Sequence, residues 1–171
     1  ARLNDIDNKG SSVGEFRKEL AELTQILGHC FIVCDNPKTQ NSIITLQDKI
    51  NNKMFPYFAL YMPQDVINWS VDNFGNCNWV LLRESLDDNT IAELFDTKKS
   101  YAVQYRLLTK TGWVLVDSEY NLIEEGFNSS NNVPIITSYN KKSKKYPSFL
   151  GISEIADISF IARDVYNSCS E

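Results

Sequence analysis

Apolar residues recur every third or fourth position at Phe16, Leu20, Leu23 and Leu27, the single stripe of an amphipathic helix. Ser12 and Glu15 stand ahead of it at the S-x-x-E spacing of a capping box, and Gly28 takes the place of a left-handed residue just past its end. The pattern predicts a helix over Ser12–Leu27. The residues before it are polar and rich in Asn, Asp and Gly, and read as an extended lead-in. His29–Asp35 (HCFIVCD) follows as a nearly continuous apolar run closed by Asn36-Pro37, the pattern of a buried strand. In it Cys30, Ile32 and Cys34 point one way, and Phe31 and Val33 the other.

After a polar segment from Lys38 to Lys53, read as a loop with one or two helical turns at Ile43, Leu46 and Ile50, the period changes to two. A strand is expected at Tyr57–Tyr61, an elbow at Met62-Pro63-Gln64-Asp65, and strands at Val66–Asp72 and Asn78–Leu86. Asn73-Phe74-Gly75-Asn76 joins the last two, because Asn and Gly accept the positive φ of a tight reversal. In the first of them Ile67, Trp69 and Val71 share a face, with Asn68, Ser70 and Asp72 opposite. Leu86–Lys99 reads as a loop with a helical turn. Tyr101–Thr109 then places Tyr101, Val103, Tyr105 and Leu107 on one face and Gln104 and Arg106 on the other. The turn Lys110-Thr111-Gly112 leads to strands at Trp113–Asp117 and Tyr120–Ile123, completing a meander. Beyond a loop over Glu124–Asn132, Val133–Tyr139 is strand-like, opened by a proline that suits an edge. Lys141-Lys142-Ser143-Lys144-Lys145 forms a basic loop. Ile152–Cys169 is a second amphipathic helix, with Ile152, Ile155, Ile158, Ala162, Val165 and Cys169 along its stripe. No stop signal closes it, so the chain reads as a segment of a longer polypeptide. The fold class expected is α+β, an antiparallel meander packed with an N-terminal and a C-terminal amphipathic helix over a single domain, 1–171.

Composition narrows the partners. Hydrophobic residues make up 43% and charged residues 23% of the 171 positions, ordinary values for a globular chain. The formal net charge of −5 argues against a dedicated wrapper of nucleic acid, whose footprint is basic. No apolar run reaches the ~18 residues of a membrane span. The four cysteines, Cys30, Cys34, Cys77 and Cys169, match no zinc spacing and are expected as reduced, mostly buried thiols.

Catalytic constellations are missing from the sequence. There is no P-loop and no dinucleotide fingerprint. The one histidine, His29, lies between a helix cap and an apolar strand, where a structural role is expected. Asp87-Asp88 and Glu124-Glu125 read as solvated loop charge rather than an acid/base pair. The Lys141–Lys145 run, flanked by Tyr139 and Tyr146, interleaves charge and aromatic rings as a nucleic-acid contact does, which makes Lys141, Lys142, Lys144 and Lys145 candidate contacts. An exposed basic loop is the plainer account. Neither a catalytic residue nor a cofactor or metal ligand is expected, and a structural or binding role is favoured over catalysis.

DIDNKGSSVGEFRKEL, LGHCFIVCDNP and FPYFALYMPQDVINWSVD, in that order, resemble the family of bacteriophage portal proteins. The residues that carry the likeness are Asp5, Asp7, Gly10, Ser12 and Phe16, then Gly28, Ile32, Val33, Asp35 and Pro37. Pro56, Tyr57, Tyr61, Pro63, Ile67, Asn68 and Trp69 complete the set. VQYRLLTKTGWVLV, NVPIITSYN and PSFLGISEIADISFIARDVYNSCSE continue the parallel almost to the last residue. Gln64 stands where the family has an acidic residue, and Phe55 where it often has arginine. The resemblance implies a fragment of the outer, wing-like region of a portal in a tailed phage or prophage. It implies a dodecameric ring in the full-length protein, set at a capsid vertex and contacting terminase, capsid and tail-connector proteins, with DNA passing through. The protein would then be a virion component assembled in the bacterial host cytoplasm. The alternative is a PAS-like ligand-binding sensor module without catalysis, suggested by the YRLLTKTGWVLV meander. A hydrolase pairing His29 with a cysteine ranks last.

Overall fold

The computed structural model describes residues 4–36, 47, 54–86, 102–128, 130–143 and 149–170. The expected loops over 38–53 and 87–99, with Asp87 and Asp88, lie outside them apart from Gln47, as do Lys144, Lys145 and Tyr146. Among the described residues the chain forms two α-helices and antiparallel sheets of three, five and two strands, so the fold class is α+β. The sequence reads as one domain, whereas the chain divides into two compact units. The first comprises 1–63 with 135–171, and the second, 64–134, is inserted between two of its strands.

In the first unit α1 (Val13–Leu27) begins where the pattern placed it. The Ser12 side chain accepts the Glu15 amide, and the Glu15 carboxylate accepts the Ser12 amide at 2.8 Å. Gly28 ends the helix at φ 85°, a conformation that costs a β-carbon-bearing residue about 1 kcal/mol. The lead-in is not extended. Asp7 accepts the amides of Lys9 and Ser11, Asp5 accepts that of Gly10, and the Ile6 carbonyl accepts the Phe58 amide at 2.9 Å. Side-chain oxygens satisfy a run of amides there, so the segment folds back on itself. The sheet is ordered β2 (Tyr57–Tyr61), β1 (His29–Asp35), β8 (Ile135–Tyr139), with β1 in the centre. The helix covers the face that carries Cys30, through Thr24 opposite Ser138 and Phe16 against Phe58. Phe31 and Val33 are buried on the other face, where Phe149 meets Phe31 edge-on at 5.4 Å. Burial on both faces is why β1 reads as a continuous apolar run.

The second unit is a five-stranded meander in chain order: β3 (Val66–Val71), β4 (Cys77–Leu86), β5 (Ala102–Thr109), β6 (Gly112–Val116) and β7 (Leu122–Phe127). Its two outer hairpin turns are built alike. Asp72 accepts the amides of Phe74 and Asn76 and the Asn76 side-chain amide, and Asp117 does the same for Glu119 and Asn121. A bulge at Ile67 breaks the period of β3, which leaves Ile67 exposed rather than level with Trp69 and Val71; a second bulge, at Asn78, lies in β4. β7 runs to Phe127, so Glu124 and Glu125 belong to a strand and not to a loop. Gly126 is required there because the Trp113 ring lies over it, 2.7 Å from where a β-carbon would be.

Parity along β5 is as expected, but the enclosed face is the polar one. Gln104 is only 8% exposed and shares its face with Leu108, which is also buried. Register sets Leu82 and Leu115 beside Arg106, and Glu84 opposite Gln104. The Arg106 Nε lies 2.8 Å from one Glu84 oxygen, and Gln104 Nε2 donates to the other at 2.7 Å. The charges tolerate that face because they are paired on it, and Gln104 shares the same carboxylate.

Candidate interaction surface

The last turn of α1 leaves carbonyls that no later helical amide can satisfy. Here they are met from the other end of the chain. Glu154 donates its amide to Gln25 at 3.0 Å, Ser153 its hydroxyl to Ile26, and Asn140 its amide to Gly28 at 3.0 Å. The donors flank a small hairpin, β9 (Lys141–Lys142) with β10 (Gly151–Ile152), in which Gly151 pairs with Lys142. Gly28 and Gly151 touch backbone to backbone, with no room for a side chain on either.

The second helix, α2 (Ala156–Cys169), springs from this junction. It starts later than its periodicity suggests, because Ile152 is held in β10 and Ser153 and Glu154 cap α1. Ser153 also accepts the Ile155 amide at 3.2 Å, so one hydroxyl serves both helices. Every residue from Asp157 to Ser170 is exposed. Ile158, Ile161, Val165 and Tyr166 lie between 57% and 72% open to solvent. An isolated helix of this length is marginal in water and gains its stability by burying an apolar face. Among the described residues nothing buries this one.

Lys141 and Lys142 are exposed on β9, and the Lys142 ammonium sits 5.4 Å from the centre of the Tyr139 ring. The lysine itself therefore occupies that ring face, a cation–π contact. His29 is buried, its ring edge-on to Phe31 at 5.4 Å, and its Nδ1 has no hydrogen-bond partner among the described residues. All four cysteines are free, but only Cys30 is buried, a correction to the expected mostly buried set: Cys34 and Cys169 fall where strand and helix face solvent. Burial pushes the Cys30 and Cys77 thiols up, Cys77 to about 11, and partial desolvation with the adjacent Asp35 charge raises the solvent-facing Cys34, which disfavours the nucleophilic thiolate. Glu124 and Glu125 point to opposite faces of β7, out of reach of a shared proton. The described residues hold no cluster of three metal-ligating side chains, and no helix is long and apolar enough to cross a membrane. The Glu84–Gln104–Arg106 network went unread in the sequence; its signal was polar residues at alternate strand positions. No protein-family model matches the chain, and no functionally described protein matches it.

Burial holds the His29 pKa below its ordinary 6.5. The unfolded chain then takes up a proton first as pH falls, so stability is complete above 6.5 and is lost on acidification below it. The carboxylates with shifted acidity, Asp7, Glu15, Asp72 and Asp117, lie below their ordinary 3.8 or 4.5. Their contribution is lost only at more acid pH. Urea titrations read by circular dichroism should thus give a slope between pH 6.5 and 4.5, at most ~1.4 kcal/mol per pH unit for one proton. His29→Asn is expected to flatten it; an unchanged slope would assign it elsewhere.

Proposed function

We propose that this chain is part of a portal-like structural protein of a tailed phage or prophage, and that the apolar face of α2 is an assembly surface. The bare face of α2 carries this reading, since a helix anchored firmly at its root and unburied along its length is built to be covered by more protein. The ordered family-like motifs support it. Several of their residues have a local structural task in this fold: Asp5 and Asp7 gather amides, Ser12 caps α1, and Gly28 takes the left-handed turn. The net charge of −5 suits a wall that DNA passes without being held.

Electron microscopy of the full-length polypeptide that carries this segment is the test. Closed rings are expected, and Ile161→Asp with Val165→Asp should leave mostly unassembled protein, because an aspartate in a buried apolar seam is unpaired. A full-length product that stays monomeric overturns the proposal. Rings that survive both substitutions remove α2 from the interface.

A further inference from the structure

The two edges of the five-stranded sheet are not equivalent. β3 is bulged at Ile67 and faces a second bulge at Asn78 of β4, and the Asn68 side chain accepts the Trp69 amide, so its regular pairing spans only Asn68–Ser70. β7 is bulged at Ile123, but from Glu124 to Phe127 it pairs with β6 in unbroken register, and among the described residues no strand lies beyond it. The Asn128 amide donates to the Thr111 carbonyl at 2.9 Å. By the alternation of an antiparallel ladder, Gly126 and Glu124 then exchange bonds with β6, while the peptide groups of Glu125 and Phe127 face outward. Their side chains share one sheet face and are exposed, Phe127 at 99%. A fully exposed phenylalanine beside open strand amides is a docking feature rather than a core residue.

Charge selects the occupant. A second copy pairing antiparallel about Glu125 would set the two Glu125 carboxylates directly opposite each other, and like charges across a ladder repel. We infer that β7 is a strand-addition site for an extended segment of a partner protein carrying lysine or arginine opposite Glu125 and a large apolar side chain opposite Phe127. The segment's backbone completes the hydrogen bonds of Glu125 and Phe127, and its side chains, two residues apart, read the edge. This site uses no part of α2 and stands whether or not α2 is an assembly surface.

The probe is a blocked pentapeptide of threonines with phenylalanine second and lysine fourth, titrated into the ¹⁵N-labelled 171-residue chain. Shift changes and slowed amide exchange are expected at Glu125 and Phe127. A control peptide with glutamate in place of lysine should bind about fivefold more weakly, the ratio a cross-strand charge pair supplies. Glu125→Lys should reverse that preference. Phe127→Pro should abolish binding with the fold intact, since it removes an outward amide that β6 does not use. If that variant loses spectral dispersion, the charge reversal at Glu125 decides. Perturbation of the β3 edge instead, equal affinity for the two peptides, or self-association confined to Glu125 and Phe127 each overturns the proposal.

Discussion

Arg106→Leu is expected to destabilise the five-stranded unit by about 3–5 kcal/mol, the usual result of taking one partner from a buried ion pair. The Arg106 and Glu84 side chains are 16% and 12% exposed. The guanidinium donates one hydrogen bond to Glu84, at 3.2 Å, and its Nε lies 2.8 Å from the other carboxylate oxygen, so the two charges are in direct contact. Arg106 also lies 5.8 Å from the centre of the Trp113 ring, which in turn covers Gly126. Leucine would fill the space of the stem and leave the Glu84 carboxylate without its cation on an enclosed face. All three tryptophans, Trp69, Trp79 and Trp113, fall in this unit, so intrinsic fluorescence during urea unfolding reads it selectively. The double variant Glu84→Leu with Arg106→Leu should recover most of the loss, since replacing both charges by packed apolar groups is often neutral. A single-variant cost under about 1 kcal/mol would mean that water screens the pair as it does on a surface.

That network marks where reading the sequence stops. α1 could be placed to the residue because its signals are local: the Ser12–Glu15 box and the left-handed Gly28 lie within the helix and its caps. β1, β2 and the turn after Asp72 were legible for the same reason. What the sequence conceals is decided across strands. Gln104 and Arg106 look like an outward polar face until Glu84, paired across the ladder, gives them a partner. Glu124-Glu125 looks like a loop until β6 holds it straight. Ile152 fits the helical stripe of α2, yet Lys141 across the hairpin claims it for a strand. The candidate surface was half legible. The apolar stripe of α2 is plain in the periodicity, but periodicity names the apolar face and not what covers it.

Gly151→Ala should cost the first unit about 2–4 kcal/mol, at the upper end of overpacking, because the new β-carbon would fall on the Gly28 carbonyl. Neither neighbour can yield cheaply. That carbonyl accepts the Asn140 amide, and Gly28 is fixed in the left-handed turn that ends α1. The same β-carbon would also stand 3.0 Å from the His29 side chain. Gly28→Ala should cost as much for a different reason, since it adds left-handed strain at φ 85° to a 2.6 Å approach to the Ser153 amide. Ser153→Ala supplies the scale: it removes hydroxyl bonds but adds no atoms, and about 1 kcal/mol is expected. Far-UV circular dichroism melts would rank the three. Amide exchange at Gly28, Asn140 and Glu154 would show whether the junction itself has opened. An alanine at 151 that costs under about 0.5 kcal/mol would mean the hairpin can slide away from α1. The root of α2 would then be loose, and the helix could not present its apolar face in one fixed direction.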